Sequence, residues 1–170
     1  MRVIFPGLLV LTAIVTAAPA LAEEMSAPCP QPVIPAAELA PWTTPTRITA
    51  AASDANLPQA RLRVGQAAVV ALHPAEAVRY PATPGKAGVQ GGLVEVTIAQ
   101  AGTYRVALGA PGWVDVLAEG KPVQSIAHGH GQPCSGIRKI VDFPLRPGRH
   151  IVVLSAGAVE PMQMLVVRRP

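Results

Sequence analysis

Aromatic side chains are scarce in this sequence. Trp, Tyr and Phe together make up 4% of its 170 residues, too few for a surface that stacks successive nucleic-acid bases. Charge is also scarce. Asp, Glu, Lys and Arg contribute 14%, with a formal net charge of +4 at pH 7. The basic residues are scattered (Arg47, Arg61, Arg63, Arg79, Arg105, Arg138, Lys139, Arg146, Arg149) and form no cluster of five. A nucleic-acid footprint needs such a cluster, so no nucleic-acid partner is expected. A phosphate loop and a dinucleotide fingerprint are both missing. Past residue 22 no apolar run approaches the roughly 20 residues of a membrane span. No helical periodicity separates the strand signals, which argues against parallel βαβ units.

The first residues carry an address. Met1 and Arg2 give a short positive start, and Ile4 to Ala18 is an apolar run broken only by Pro6, Gly7, Thr12 and Thr16. Pro19 stops any helix, and Ala20-Leu21-Ala22 offers small residues where a signal peptidase checks for them. This three-part layout predicts a secretory signal peptide over residues 1–22. The product is then periplasmic or secreted, with no membrane span after cleavage. Export explains the cysteine count. Only Cys29 and Cys134 occur, and in an oxidising compartment two cysteines pair. Their bridge ties a Pro/Ala-rich arm, residues 23–61, to the rest. Trp42 is the expected anchor of that arm, with an exposed ligand platform as its other reading, and Ala36 to Leu39 is long enough for one helical turn.

From residue 62 to 170 the pattern is that of strands and turns. Leu62 to Val64, Ala67 to Leu72, Leu93 to Ile98, Thr103 to Leu108, Trp113 to Leu117, Val123 to Ala127, Ile137 to Leu145, Arg149 to Ser155 and Met162 to Arg168 read as short strands. A further short strand is possible at Ala77 to Tyr80. Gly65-Gln66, Ala101-Gly102, Pro111-Gly112, Glu119-Gly120 and Pro147-Gly148 punctuate them. About eight strands at this spacing predict an all-β domain. The expected form is an antiparallel β-sandwich, jelly-roll-like or Ig-like, with one wet face on each sheet.

Two segments, Ala101-Gly102-Thr103-Tyr104-Arg105-Val106 and Leu145 to Leu154, resemble strand openings in bacterial secreted sandwiches of the pre-peptidase C-terminal and carbohydrate-binding-module type. The resemblance covers roughly residues 92–168 and implies a fold rather than an activity. The segments His128-Gly129-His130-Gly131, Cys134-Ser135-Gly136-Ile137-Arg138-Lys139 and Asp142-Phe143-Pro144-Leu145 are similar to a group of short exported α-proteobacterial proteins labelled homogentisate 1,2-dioxygenase. That label implies a non-haem iron site of two histidines and a carboxylate.

The residues themselves offer a few chemical candidates. His128 and His130 are two apart, so in a strand both imidazoles would share a face. They could then hold a divalent metal such as Fe, Zn or Cu. Candidates for a third ligand are His73, His150, Asp115, Glu95 and Asp142. The competing reading is a polar loop held by Cys134. His73 then caps a turn and His150 is a structural histidine. Ser135 lacks a Gly-x-Ser-x-Gly setting, so a triad with His128 and Asp142 has no support in spacing. Tyr104 alternates with Val106 and Leu108 and belongs to a core face. Trp113 opens a strand, either as core or as an exposed sugar-stacking platform. Arg138 and Lys139 point to opposite faces, and either could meet an anionic partner. The leading expectation is a non-catalytic envelope module, without a cofactor, that binds a small molecule, a glycan or a protein. The alternative is a metal-dependent, dioxygenase-like enzyme using His128 and His130.

Overall fold

Runs of Val, Leu, Ile and Ala between Gly and Pro turns suit a pleated, covered surface. A computed structural model, which describes residues 29–157 and 160–170, folds them into twelve strands. These are β1 (Thr46–Thr49), β2 (Arg61–Leu62), β3 (Ala67–Ala71), β4 (His73–Pro74), β5 (Gln90–Ile98), β6 (Gly102–Leu108), β7 (Trp113–Ala118), β8 (Lys121–Pro122), β9 (Ala127–Gly129), β10 (Lys139–Leu145), β11 (Gly148–Gly157) and β12 (Met162–Arg168). The segment read as a signal peptide lies outside the described residues. Among the described residues, no helix is long and apolar enough to cross a membrane.

Two sheets form an all-β sandwich. One runs β1-β3-β12-β6-β10-β9, the other β2-β5-β11-β7-β8, with β4 also on β5. Most pairings are antiparallel, as expected. The exceptions are β1 with β3 and β2 with β5, which are parallel. Parallel neighbours need long connections. Residues 50–66 supply one between β1 and β3, and it includes a 3-10 helix at Asp54–Gln59. Strand β1 falls within the stretch read as the arm.

Two short segments differ from expectation. The possible strand at Ala77 to Tyr80 is not formed: Ala77 ends a 3-10 turn, Ala75–Ala77, and residues 78–80 belong to no strand. Residues 123–126 are not a strand either. The Val123 amide donates to the Val116 carbonyl, in the second sheet, and the Ile126 amide donates to that of Asp142, in the first. The chain changes sheets here, and a segment crossing between sheets cannot stay in either ladder.

The inner faces meet in a core that includes Val94, Val96, Tyr104, Val106, Val116, Val141, Phe143, Val152 and Met164. Tyr104 is buried as its alternation predicts, and its hydroxyl donates to the Gln100 carbonyl at 2.7 Å. The outer faces are not wet throughout, contrary to the expectation of one solvated face per sheet. A 3-10 helix at Ala37–Thr43 lays Leu39 and Trp42 over Ala67, Ala107, Leu165 and Val167. Trp42 is only 5% exposed and anchors the arm as expected. On the other sheet, Leu57, Ala60 and Val78 cover Leu93, Leu117, Ile151 and Val153. Consecutive apolar residues at Leu93-Val94, Ile151 to Leu154 and Met164 to Val167 are the sequence counterpart, because strands covered on both faces lose their alternation.

Cys29 and Cys134 form a disulfide across 105 positions, with Cα atoms 5.5 Å apart. The Val33 amide donates to the Cys134 carbonyl at 2.9 Å beside it.

Glu95 is buried on the outer face of β5. It accepts from Arg61 Nε at 2.8 Å and Arg149 Nε at 2.6 Å. Burial pushes its carboxyl up, but the Arg149 and Arg61 hydrogen bonds and charges outweigh it and hold the group below its ordinary value of 4.5. A depressed carboxyl contributes stability above the unfolded value and loses it as pH falls through the folded one. Glu95→Gln should therefore narrow the stability gap to the parent as pH drops below about 4.5. Urea midpoints measured from pH 6 to pH 3 check this, and a constant gap across that range would contradict it.

Candidate functional site

The sheets part at the edge where β7 and β8 face β9 and β10. A cleft of about 390 Å³ opens there. Its floor is apolar: Val114 from β7, and Val141 and Phe143 from β10. The crossing residues Val123, Gln124 and Ser125 form one wall, and Trp113, Asp115, Lys139 and His128 supply the chemistry.

Register explains why those side chains converge. His128 stands directly opposite Val141 in the β9–β10 ladder, so it shares the inward face of a core residue. Lys139 lies two residues before Val141 and shares that face by alternation. Arg138 falls on the other side, is exposed, and lines the depression beside the disulfide. The two basic neighbours thus separate as alternation predicts.

Trp113 is 37% exposed and is not a core residue. Its Nε1 donates to Asp115 Oδ1 at 2.9 Å, two residues along the same face. Asp115 Oδ2 accepts from the Gly85 amide at 2.9 Å, which brings the Pro84-Gly85 turn against the indole. A Cβ on Gly85 would come within 2.5 Å of that Nε1, so the approach requires glycine. Lys139 Nζ sits 4.8 Å from the Trp113 ring centroid, a cation–π distance. It also donates to the Gly112 carbonyl at 3.0 Å. Burial lowers the Lys139 pKa. Asp115 opposes that shift and Lys86 adds to it.

The histidine pair is not brought together as one site. Strand β9 ends at Gly129, so the shared-face geometry does not extend to His130. His130 Nδ1 is instead 2.7 Å from the Arg138 carbonyl, and the residue lines the depression formed with Cys29, Pro30 and Cys134. Among the described residues, no group of three or more His, Cys, Asp or Glu is placed to hold a metal ion. The other proposed ligands are engaged elsewhere. His73 Nε2 is 2.8 Å from the Ala50 carbonyl, and buried His150 is 3.2 Å from that of Gly148. Glu95 is held by Arg61 and Arg149, and Asp142 by Arg105 and Arg169. The donor set therefore does not fit the two-histidine, one-carboxylate iron site that the dioxygenase label implies. Ser135 closes a turn, its hydroxyl donating to the Gln132 carbonyl at 2.6 Å. No triad forms with His128, since Asp142 is committed to guanidinium groups.

Three features of this cleft had little or no sequence signal. The wall at Gln124 and Ser125 exists because the chain changes sheets. Phe143 reads as core and also floors the cleft. The Gly85 contact has no signal in the sequence. No protein-family model matches the chain, and no curated protein matches it.

Proposed function

We propose that the protein is an exported, non-catalytic binding module whose ligand sits in the cleft of Trp113, Lys139 and His128. One observation carries the reading. A half-buried ammonium, an exposed indole and an imidazole, drawn from both sheets, converge over an apolar floor. A small concave site with an apolar lining and a few polar groups is the usual form of a ligand pocket. A working place in the periplasm or outside the cell is supported by the Cys29–Cys134 bridge, which persists in oxidising compartments.

A larger depression, about 930 Å³, runs beside β1 and is lined by Arg47 to Ala52, His73 and Pro161. It is the more open of the two, and its lining sets Arg47, Asn56, Gln59, His73 and Glu160 around four alanines. Size favours it, whereas the cleft is favoured by its greater enclosure and by polar groups gathered over a floor of Val114, Val141 and Phe143. Specificity comes from converging polar groups rather than from volume.

Crystals of the purified protein soaked with a set of small organic fragments would test the reading. Fragments should gather first between Trp113 and Val123. Fragments gathering beside Arg47 and His73, with the Trp113 cleft bare, would contradict it.

A further inference from the structure

Resting on that reading of the cleft, we infer that its ligand is a small amphipathic monoanion, with its acidic head at Lys139 and its apolar body on Val123, Val141 and Phe143. Lys139 carries three donors. One is used on the Gly112 carbonyl, and the ring of Trp113 covers part of the ammonium. Among the described residues, every ion pair lies elsewhere, and none engages Lys139. Asp115, the carboxylate whose charge acts on Lys139, has its two oxygens hydrogen-bonded to Trp113 Nε1 and the Gly85 amide. The cleft thus contains a partly desolvated ammonium with donors to spare and no ion-pair partner, its one lining carboxylate, Asp115, being hydrogen-bonded to the indole and the Gly85 amide.

Each ligand class meets this arrangement differently. A cation would meet repulsion from Lys139 and Lys86 against the attraction of Asp115, whose two oxygens already accept hydrogen bonds from Trp113 and Gly85. A neutral apolar body would exclude water and leave the ammonium donors unpaired, which is costly in an apolar setting. An anionic head pairs with those donors by charge-assisted hydrogen bonds, and His128 on the rim offers a further ring N–H. The floor of Val114, Val141 and Phe143 then takes the hydrocarbon. A cleft of about 390 Å³ sits near the lower end of ligand pockets, so a short chain fits better than a long acyl tail.

Titration calorimetry with hexanoate, hexanol and hexylammonium tests the class, because the three share a body and differ in head. The parent protein should bind hexanoate at least ~10-fold more tightly than hexanol, a difference of about 1.4 kcal/mol, and hexylammonium weakest. Lys139→Met keeps the aliphatic stem and should bring hexanoate down to the hexanol level while leaving hexanol unchanged. Lys139→Arg should keep the preference. Equal binding of hexanoate and hexanol by the parent, or a preference that survives Lys139→Met, would overturn the anionic head yet leave the cleft as a ligand site. Preference for hexylammonium would overturn the class outright. Failure of all three to bind would do the same, and the fragment soak then decides separately whether the cleft binds anything.

Discussion

Asp142→Ala should lower stability by about 3 kcal/mol, near the low end of the 3–5 kcal/mol expected when one partner of a buried pair is removed. The Asp142 side chain is 4% exposed on the outer face of β10. Arg105 grips it with two bonds, Nε to Oδ1 at 3.0 Å and a terminal nitrogen to Oδ2 at 3.3 Å. Arg169 adds a third at 3.3 Å. Removing the carboxylate leaves the Arg105 guanidinium under the arm with only Glu38 as its counter-ion, 3.0 Å away. That remaining partner and the exposure of Arg169 keep the loss from the top of the range. Glu38 belongs to the 3-10 helix that carries Leu39 and Trp42, so the network also pins the arm. Asp142→Asn keeps an acceptor and should lose less. Urea unfolding checks both variants. A lower midpoint with unchanged slope is expected, and an Asp142→Ala midpoint equal to the parent's would show that the network is dispensable.

Removing the disulfide should cost more. A bridge across 105 positions closes a long loop, and the chain-entropy model assigns such a loop about 4–5 kcal/mol. The double variant Cys29→Ser plus Cys134→Ser should melt well below the oxidised parent. A reductant should bring the parent down to that level and leave the double variant unmoved. The test also separates two ways of holding the arm. If the Trp42 cluster and the Arg105 network sufficed, the double variant would melt with the parent.

The all-β architecture was legible because turn pairs such as Ala101-Gly102, Pro111-Gly112 and Pro147-Gly148 sit between β-rich runs, and each falls at the junction of two strands. The cysteine pairing was legible from the number of cysteines and the expected export alone. Tyr104 was placed by alternation, and Trp42 was expected as the anchor of the arm. What remained hidden depends on contacts far apart in the chain. The parallel pairings of β1 and β2 follow from where the arm returns to the sheets, which no local pattern encodes. Covered outer faces were visible only as lost alternation at Leu93-Val94 and Ile151 to Leu154, a signal also compatible with other readings.

The candidate site was half legible. Trp113, His128 and Lys139 were each singled out, but for separate reasons and in separate roles. The spacing of His128 and His130 suggested a pair, yet strand β9 ends between them. The partnership of His128 with Lys139 arises because β9 lies beside β10 and shares its inward face. That of Trp113 with Lys139 arises across the gap between sheets. Asp115 showed its position two residues after Trp113, although the hydrogen bond that this spacing permits was not evident without the Gly85 turn.

The most direct test of the cleft as the ligand site uses the two tryptophans. An amide and indole nitrogen–proton correlation spectrum shows two indole signals, one from buried Trp42 and one from exposed Trp113. Titration with hexanoate should move the Trp113 indole signal and the backbone signals of Lys139 and Val123, and leave Trp42 in place. A spectrum in which Trp113 stays fixed at saturating hexanoate, or in which residues 47–52 shift in its stead, would contradict the account.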